Sequence, residues 1–449
     1  MGETWTIRRP PTRITGMAEY VTVIGLGYVG LPLAVSLAGQ GIRVAGVDAD
    51  PAIRDAVRER QAPFFEPGLS EALQRLPAGM LTVAEAPLSA GPPRAVIICV
   101  GTPTDPETLR PDLSHLRAAT ETATACMGDD TLVVVRSTVP VGTCRQFVLP
   151  VLRTKVARPM LAFCPERLIQ GTALAETISL PQIIGALDER SRTAADALHS
   201  SLTARRVHVS SLETAEMIKL VGNAHTDLIY GFGNEVALMA TALGLDADEV
   251  IRSANSDYPR PDIASPGYVG GSCLTKDPYL LIHSAASAGY SPPMVAAARR
   301  LNEEVPTRIV ERFTQQLTRL SDRPFAESKI LVCGMAYKGR PETDDVRGAA
   351  SSTVARLLGS EVKTLAGHDF LVRDHVVRQL GFEPTGLEDG LRDADGALLL
   401  VDHPRYRDIT ADQIRSLMRG PRLVLDMWGI AEDALVDADG INYVRFGRG

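Results

Sequence analysis

The sequence predicts an α/β protein: two parallel-sheet domains joined by a long central helical region. Three observations carry this. Short, apolar, β-branched runs alternate with helix-patterned stretches in the first 200 or so residues, which marks a parallel sheet covered by helices. From about Ser211 the pattern turns helical and stays so. After Pro324 the strand–helix alternation returns. A chain of 449 residues suits two or three such domains. The expected boundaries are a disordered tail at 1–17, a first sheet domain at 18–208, a central helical region at 209–322 and a second sheet domain at 323–449.

Composition removes several classes of function. Hydrophobic residues at 45% and charged residues at 22% give an ordinary globular balance. A net charge of -7 lacks the basic footprint of a nucleic-acid binder. No apolar run reaches the roughly 18 residues that a membrane span needs. The six cysteines form no C-x-x-C pair and no zinc spacing, so neither a disulfide framework nor a metal site is expected. A reduced, cytoplasmic protein fits best. The first 16 residues carry Arg8, Arg9, Pro10, Pro11 and Arg13 and have no apolar secretory core. They read as a tail, with Met17 as an alternative start.

The first strand is Tyr20-Val21-Thr22-Val23-Ile24. Gly25-Leu26-Gly27-Tyr28-Val29-Gly30 follows at once, and then a helical stretch with Pro32 in its first turn. A strand–GxGxxG–helix order is the signature of a Rossmann-like dinucleotide site. Gly25 allows the tight turn, Gly27 lets a pyrophosphate approach the backbone, and Gly30 lets helix pack on strand. The second strand ends at Asp48, where a carboxylate bonds an adenosine ribose and repels a 2′-phosphate. NAD is therefore the expected cofactor, rather than NADP. The strand Ala95–Val100 runs into Gly101-Thr102-Pro103-Thr104, and Leu132–Val135 runs into Arg136-Ser137-Thr138.

A second concentration of chemistry is Tyr268-Val269-Gly270-Gly271-Ser272-Cys273-Leu274-Thr275-Lys276-Asp277. Adjacent glycines clear side chains from a thiol, and a thiolate is a strong nucleophile when positive charge is near. A lone cysteine beside a turn is more often structural, but other parts of the chain favour chemistry here. Glu166 follows Cys164-Pro165. Lys219 and Asn223 stand four apart, on one helical face.

Taken together, these segments resemble the UDP-glucose/GDP-mannose dehydrogenase family over roughly residues 20 to 445. The family's Gly-Gly-x-Cys-x-x-x-Asp loop matches Gly270 to Asp277, its Lys-x-x-x-Asn pair matches Lys219 and Asn223, and its catalytic glutamate matches Glu166. A second family glutamate is replaced here by Gln170. The resemblance implies a nucleotide-sugar 6-dehydrogenase that takes the C6 alcohol of a UDP- or dTDP-hexose such as glucose to a uronic acid, with NAD bound to the first domain. Catalytic residues would be Cys273, Lys219, Asn223, Glu166, Asp277 and Thr138. Cofactor contacts would come from Gly25, Gly27, Tyr28, Val29, Gly30, Asp48, Val100, Thr102, Thr138 and Arg347. Substrate contacts would come from Glu166, Lys219, Asn223, Arg260, Tyr268, Gly270, Tyr337 and Lys338. A water held by Asp277 and Lys219 would take the alcohol proton, Cys273 would form a thiohemiacetal and then a thioester, and Glu166 would assist hydrolysis. His225 is outside the pattern and reads as structural. The resemblance also implies a homodimer or higher homo-oligomer formed through the central helices.

The sugar stays open. Cys164-Pro165-Glu166-Arg167 resembles members acting on UDP-N-acetylhexosamines (ManNAc or GlcNAc), whereas Gly271-Ser272-Cys273 with Lys276-Asp277 resembles members acting on UDP-glucose or GDP-mannose. Two readings of other classes stand beside it. A two-electron β-hydroxy-acid dehydrogenase would need neither Cys273 nor the last domain. A non-catalytic nucleotide-sugar binding protein would have no use for all five of Glu166, Lys219, Asn223, Cys273 and Asp277.

Overall fold

The computed structural model describes residues 20–88 and 91–448, so the expected tail at 1–17 lies outside the described residues. The chain packs as two compact units. One comprises residues up to Gly222 with Tyr279–Tyr290; the other comprises Asn223–Pro278 with Ser291–Gly449.

The first unit is built on an eight-stranded sheet. Its strands are β1 (Tyr20–Ile24), β2 (Arg43–Val47), β3 (Leu81–Ala84), β4 (Ala95–Ile98), β5 (Leu132–Val135), β6 (Met160–Phe163), β7 (Gln182–Ala186) and β8 (Arg206–His208), in the order β3-β2-β1-β4-β5-β6-β7-β8. β1, β4, β5 and β6 are buried along their whole length. Helices cover both faces of such a sheet, so these strands read as unbroken apolar runs without alternation. β1 pairs in parallel with β2 on one side and β4 on the other, with Val21 opposite both Val44 and Ala95. The strand order reverses there, and ligands bind at the carboxyl ends of strands at such a point. One feature departs from the all-parallel expectation: β7 runs antiparallel to β6, and β8 then follows β7 in parallel.

The second unit carries a six-stranded, fully parallel sheet. β9 (Lys329–Cys333), β10 (Thr364–His368), β11 (Glu383–Pro384), β12 (Gly396–Leu399), β13 (Leu423–Asp426) and β14 (Asn442–Arg445) lie in the order β11-β10-β9-β12-β13-β14. Its core joins this sheet to Val305, Ile309, Phe313 and Leu317, one face of the helix Pro293–Leu320. The predicted central helical region at 209–322 opens with a helix of 32 residues, Leu212–Leu243, and continues through Ala247–Asn255, Asp277–Ser287 and Pro293–Leu320. Among the described residues no helix is long and apolar enough to cross a membrane.

Candidate active site

In the first unit the turn after β1 is fixed by close backbone packing. Gly25 has φ +89°, a conformation that side-chain-bearing residues avoid. A Cβ on Gly30 would overlap the Gly25 carbonyl oxygen, so the first helix (Gly30–Gly39) meets the strand end only because both positions are glycine. Gly27 differs: a Cβ there would meet nothing within 4 Å. That space lies over the N-terminus of the first helix, where unpaired N–H groups favour a phosphate. Asp48 closes the turn from β2. It accepts the Leu26 N–H on Oδ2 (2.7 Å) and the Asp50 N–H on Oδ1 (2.9 Å). Each carboxylate oxygen has a second lone pair, so Asp48 keeps capacity for ribose hydroxyls. Open space above Gly27 and an oriented Asp48 carboxylate fit NAD.

The other cofactor candidates surround these. Tyr28 stacks on Phe64 with ring centroids 4.1 Å apart. The Val29 carbonyl accepts the Leu33 N–H as the helix begins. The Val100 carbonyl accepts the Ser137 hydroxyl (2.7 Å), and Thr102 Oγ1 donates to the Thr138 carbonyl (2.5 Å). These bonds tie the loops after β4 and β5 together. Glu216, which the sequence did not single out, holds the second of these loops from the long helix. It is fully buried and accepts the N–H groups of Gly142 (2.5 Å) and Cys144 (2.8 Å). Burial pushes its pKa up, against the lowering by those two amides.

Glu166 and Lys219 form a buried ion pair, Nζ to Oε1 2.7 Å, with side chains 7% and 5% exposed. Oε2 accepts the Leu168 N–H (2.8 Å). Burial works to raise the Glu166 pKa, but Lys219, the Leu168 amide and Arg136 outweigh it and hold the carboxyl below the usual glutamate range. Lys219 and Glu166 are thus held together as a pair inside the protein.

In the second unit, Cys273 sits half-buried on the short helix Gly271–Leu274. Asp277, fully buried, accepts Asn223 Nδ2 (2.5 Å) on one oxygen and Lys276 Nζ (2.5 Å) on the other. Gly271 has φ +88°, and a Cβ there would lie 2.8 Å from the Tyr337 ring. A Cβ on Gly270 would run into the Gly348 carbonyl and Tyr268. Both glycines are therefore needed to seat the thiol loop. Tyr268 donates its N–H to Met427 Sδ (3.3 Å). Lys338 Nζ stands 5.4 Å from the Tyr337 ring centre.

Two further candidates, Arg347 and Arg260, are exposed and bond near neighbours in the chain. Arg347 makes a two-pronged bond to Asp345 (2.8 and 2.7 Å). Exposed Arg260 lies over the Tyr258 ring and donates to its hydroxyl (2.5 Å). His225, read as structural, is exposed on the long helix.

Three family models cover the chain in order. The NAD binding domain of the UDP-glucose/GDP-mannose dehydrogenase family matches residues 19–203, its central domain 213–304 and its UDP binding domain 331–433. The UDP-N-acetyl-D-mannosamine dehydrogenase of Pyrococcus horikoshii is 32% identical over 96% of this chain and 99% of its own. A solved structure of that activity from the same organism has a TM-score of 0.86 at 30% identity, covering 96% of this chain and 99% of its own. The NDP-N-acetyl-D-galactosaminuronic acid dehydrogenase of Ralstonia solanacearum is 30% identical over 91% of this chain and 96% of its own. A UDP-glucose dehydrogenase structure from Pyrobaculum islandicum has a TM-score of 0.84 at 29% identity, covering 98% and 100%. Matched in all three domains and along nearly its whole length, the chain belongs to the UDP-glucose/GDP-mannose dehydrogenase family and is an NAD-dependent nucleotide-sugar dehydrogenase.

Proposed function

We propose that this chain is a UDP-N-acetylhexosamine 6-dehydrogenase, with UDP-N-acetylmannosamine as its preferred class of substrate. The relatives support the N-acetylhexosamine reading over the glucose reading, since the Pyrococcus and Ralstonia proteins both carry N-acetylated sugars in their names. The Cys164-Pro165-Glu166-Arg167 segment leans the same way. The Pyrobaculum structure keeps UDP-glucose as the second reading.

The observation that carries the reaction type is the half-buried Cys273 thiol on a glycine-cleared helix, four residues before a buried carboxylate that holds Asn223. A single oxidation to an aldehyde needs no nucleophile. A second hydride can leave only from a tetrahedral carbon that still bears hydrogen, and thiol addition supplies that carbon. Overall, one alcohol, two NAD+ and one water give one carboxylate, two NADH and three protons. NAD+, held by the Gly25–Gly30 turn and Asp48, would supply the hydride acceptor for both oxidations.

The protein's own groups do the rest. Asn223, oriented by Asp277, and Lys219, one helical turn away, donate to the oxygen on C6. Such oriented donors typically contribute about 3–4 kcal/mol each to an oxyanion-like transition state. Cys273 Sγ adds to the aldehyde carbon, forming the C–S bond of a thiohemiacetal; loss of hydride converts it to a thioester. Glu166, kept ionised by Lys219, orients and deprotonates the water that attacks the thioester. The C–S bond breaks and Cys273 regains a proton. Tyr337, Lys338, Tyr268, Gly270 and Arg260 are proposed to hold the nucleotide sugar, and Arg347, Val100, Thr102, Thr138, Tyr28 and Val29 to border the cofactor.

The test is NADH released per limiting sugar, across UDP-N-acetylmannosamine, UDP-N-acetylglucosamine and UDP-glucose. Two NADH per N-acetylmannosamine is the expected outcome, with loss of uronate formation in Cys273→Ser. One NADH per sugar sinks the thioester route, and a higher kcat/KM with UDP-glucose returns the second reading to first place.

A further inference from the structure

The segment that carries Cys273 is held at both ends by one buried polar network. At its entry, Asn234 and Gly267 exchange two hydrogen bonds: Gly267 N–H donates to Asn234 Oδ1 (2.8 Å), and Asn234 Nδ2 donates to the Gly267 carbonyl (3.0 Å). Asn234 Nδ2 also donates to Asn302 Oδ1 (2.8 Å). Asn302 Nδ2 in turn donates to the Asp227 carbonyl (2.8 Å) and to Asp227 Oδ1 (2.9 Å). Arg299 Nη1 donates to the same Oδ1 (2.6 Å) and, at the exit of the segment, to the Leu274 carbonyl (2.7 Å). The path therefore runs from Gly267 through Asn234, Asn302, Asp227 and Arg299 to Leu274. Two helices, Leu212–Leu243 and Pro293–Leu320, supply its four side chains.

Three features set this network apart from incidental packing. First, the four side chains are 0–1% exposed, and one is a charged arginine. A buried ion pair with its hydrogen bonds is commonly no more stabilising than apolar side chains of the same volume, so stability alone is a weak reason for it. The bonds instead run unbroken through Asp227 Oδ1 and Arg299 Nη1 from one end of the segment to the other and hold one geometry, while Asp227 Oδ2, Arg299 Nε and Arg299 Nη2 make no hydrogen bond among the described residues. Second, Leu274 is the last residue of the four-residue helix that bears Cys273. Its carbonyl has no partner inside that helix, and a cation is the favourable cap for such a group. Third, two further bonds fall on that helix itself. Gly271 N–H donates to the Gly348 carbonyl (3.3 Å), and Thr275 Oγ1 donates to the Gly271 carbonyl (2.8 Å).

We infer that Asp227, Asn234, Arg299 and Asn302 are positioning residues that clamp the Gly267–Leu274 segment and so fix the attack geometry of Cys273. The inference rests on the proposed role of Cys273 as nucleophile. All four side chains are buried. They act through the backbone on either side of the thiol. A displacement of about 1 Å at a reacting atom costs on the order of 100-fold in rate.

The experiment compares Asn302→Ala and Arg299→Lys with Phe313→Leu, a core change that contacts none of these groups. Two quantities are read: kcat and KM for the sugar nucleotide, and the rate of Cys273 alkylation by iodoacetamide without substrate, located by peptide mass. The clamp variants are expected to lose on the order of 100-fold in kcat with little change in KM. Their Cys273 is expected to alkylate faster, because the loosened segment exposes it. Phe313→Leu is expected to lower Tm while leaving both readouts unchanged. Clamp variants with lowered Tm but unaltered kcat and alkylation rate overturn the inference. Should the variants fail to fold, hydrogen exchange in the unmodified protein decides. The clamp requires slow exchange at Gly267 and Gly271 relative to exposed Asp257–Arg260, and equal rates overturn it. Undiminished turnover in Cys273→Ser would instead overturn the reading of the reaction, while the alkylation and exchange results still judge the clamp.

Discussion

Lys219 and Glu166 show how one pair sets both stability and the pH window of the site. Both side chains are almost fully buried, so removing one partner strands the other charge in a poor solvent. Such a change typically costs about 3–5 kcal/mol. Glu166→Gln should lower the unfolding free energy at pH 7 by an amount in that range, seen as a lower Tm, and slow thioester hydrolysis, seen as a mass adduct on Cys273. The pH dependence has a defined sign. The folded pKa of Glu166 is depressed, so its stabilisation is fully present above the ordinary glutamate value of about 4.3 and is lost as pH falls through the lower folded value. Melts of the two proteins from pH 7 down to pH 3 should therefore converge at the acid end. A constant gap would remove the ion pair from the account. Asp48 makes a second residue-scale prediction. Its carboxylate is proposed to bond the adenosine ribose and would repel a 2′-phosphate, so kcat/KM should favour NAD+ over NADP+, and Asp48→Asn should narrow the ratio. An unchanged ratio would mean that Asp48 serves only to bond the Leu26 and Asp50 amides.

At the level of the elements, the glycines of the two turns fall into distinct kinds, and substitution by alanine separates them. Gly271 combines φ +88° with the Tyr337 ring 2.8 Å from where a Cβ would stand. Gly271→Ala faces both backbone strain, about 1–3 kcal/mol, and displacement of an aromatic ring, so it should lower Tm and activity together. Gly27 has open space where a Cβ would go. Gly27→Ala should melt near the unmodified protein yet bind NAD+ more weakly, because the methyl occupies the approach of the pyrophosphate. Thermal melts with and without NAD+ check both. A Gly27→Ala protein with unaltered NAD+ affinity would show that the cofactor does not approach this turn.

Across the whole molecule, legibility in the sequence followed distance along the chain. The Gly25–Gly30 turn, Asp48, and the Gly270–Asp277 loop are local patterns within a few residues, so each could be singled out before the fold was known. The network around Arg299 could not, since Asp227 and Arg299 are 72 positions apart and each alone is an ordinary helical charge. The hold of Glu216 on Gly142 spans 74 positions and was missed for the same reason. The reversal of β7 was equally hidden, because a buried strand has the same composition in either direction. Periodicity did reveal that 212–243 is helical; only exposure shows what its outer face offers. Met217, Val221, Phe232, Met239 and Leu243 are 42–73% exposed. At about 100° per residue they fall within an arc of about 80°, with Lys219 and Asn223 on the opposite side. A stripe of large apolar side chains in water marks an association surface, and for identical chains the simplest closed arrangement is a two-fold pair. The protein is therefore predicted to be at least a dimer at micromolar concentration. Burying one such side chain contributes about 1.5–3 kcal/mol, and two-fold symmetry counts each substitution twice. Phe232→Glu should accordingly weaken the dimer by on the order of 100-fold or more while leaving the far-ultraviolet spectrum unchanged. Light scattering over a dilution series measures this directly, and a monomeric mass for the unmodified protein would assign the stripe to something other than self-association.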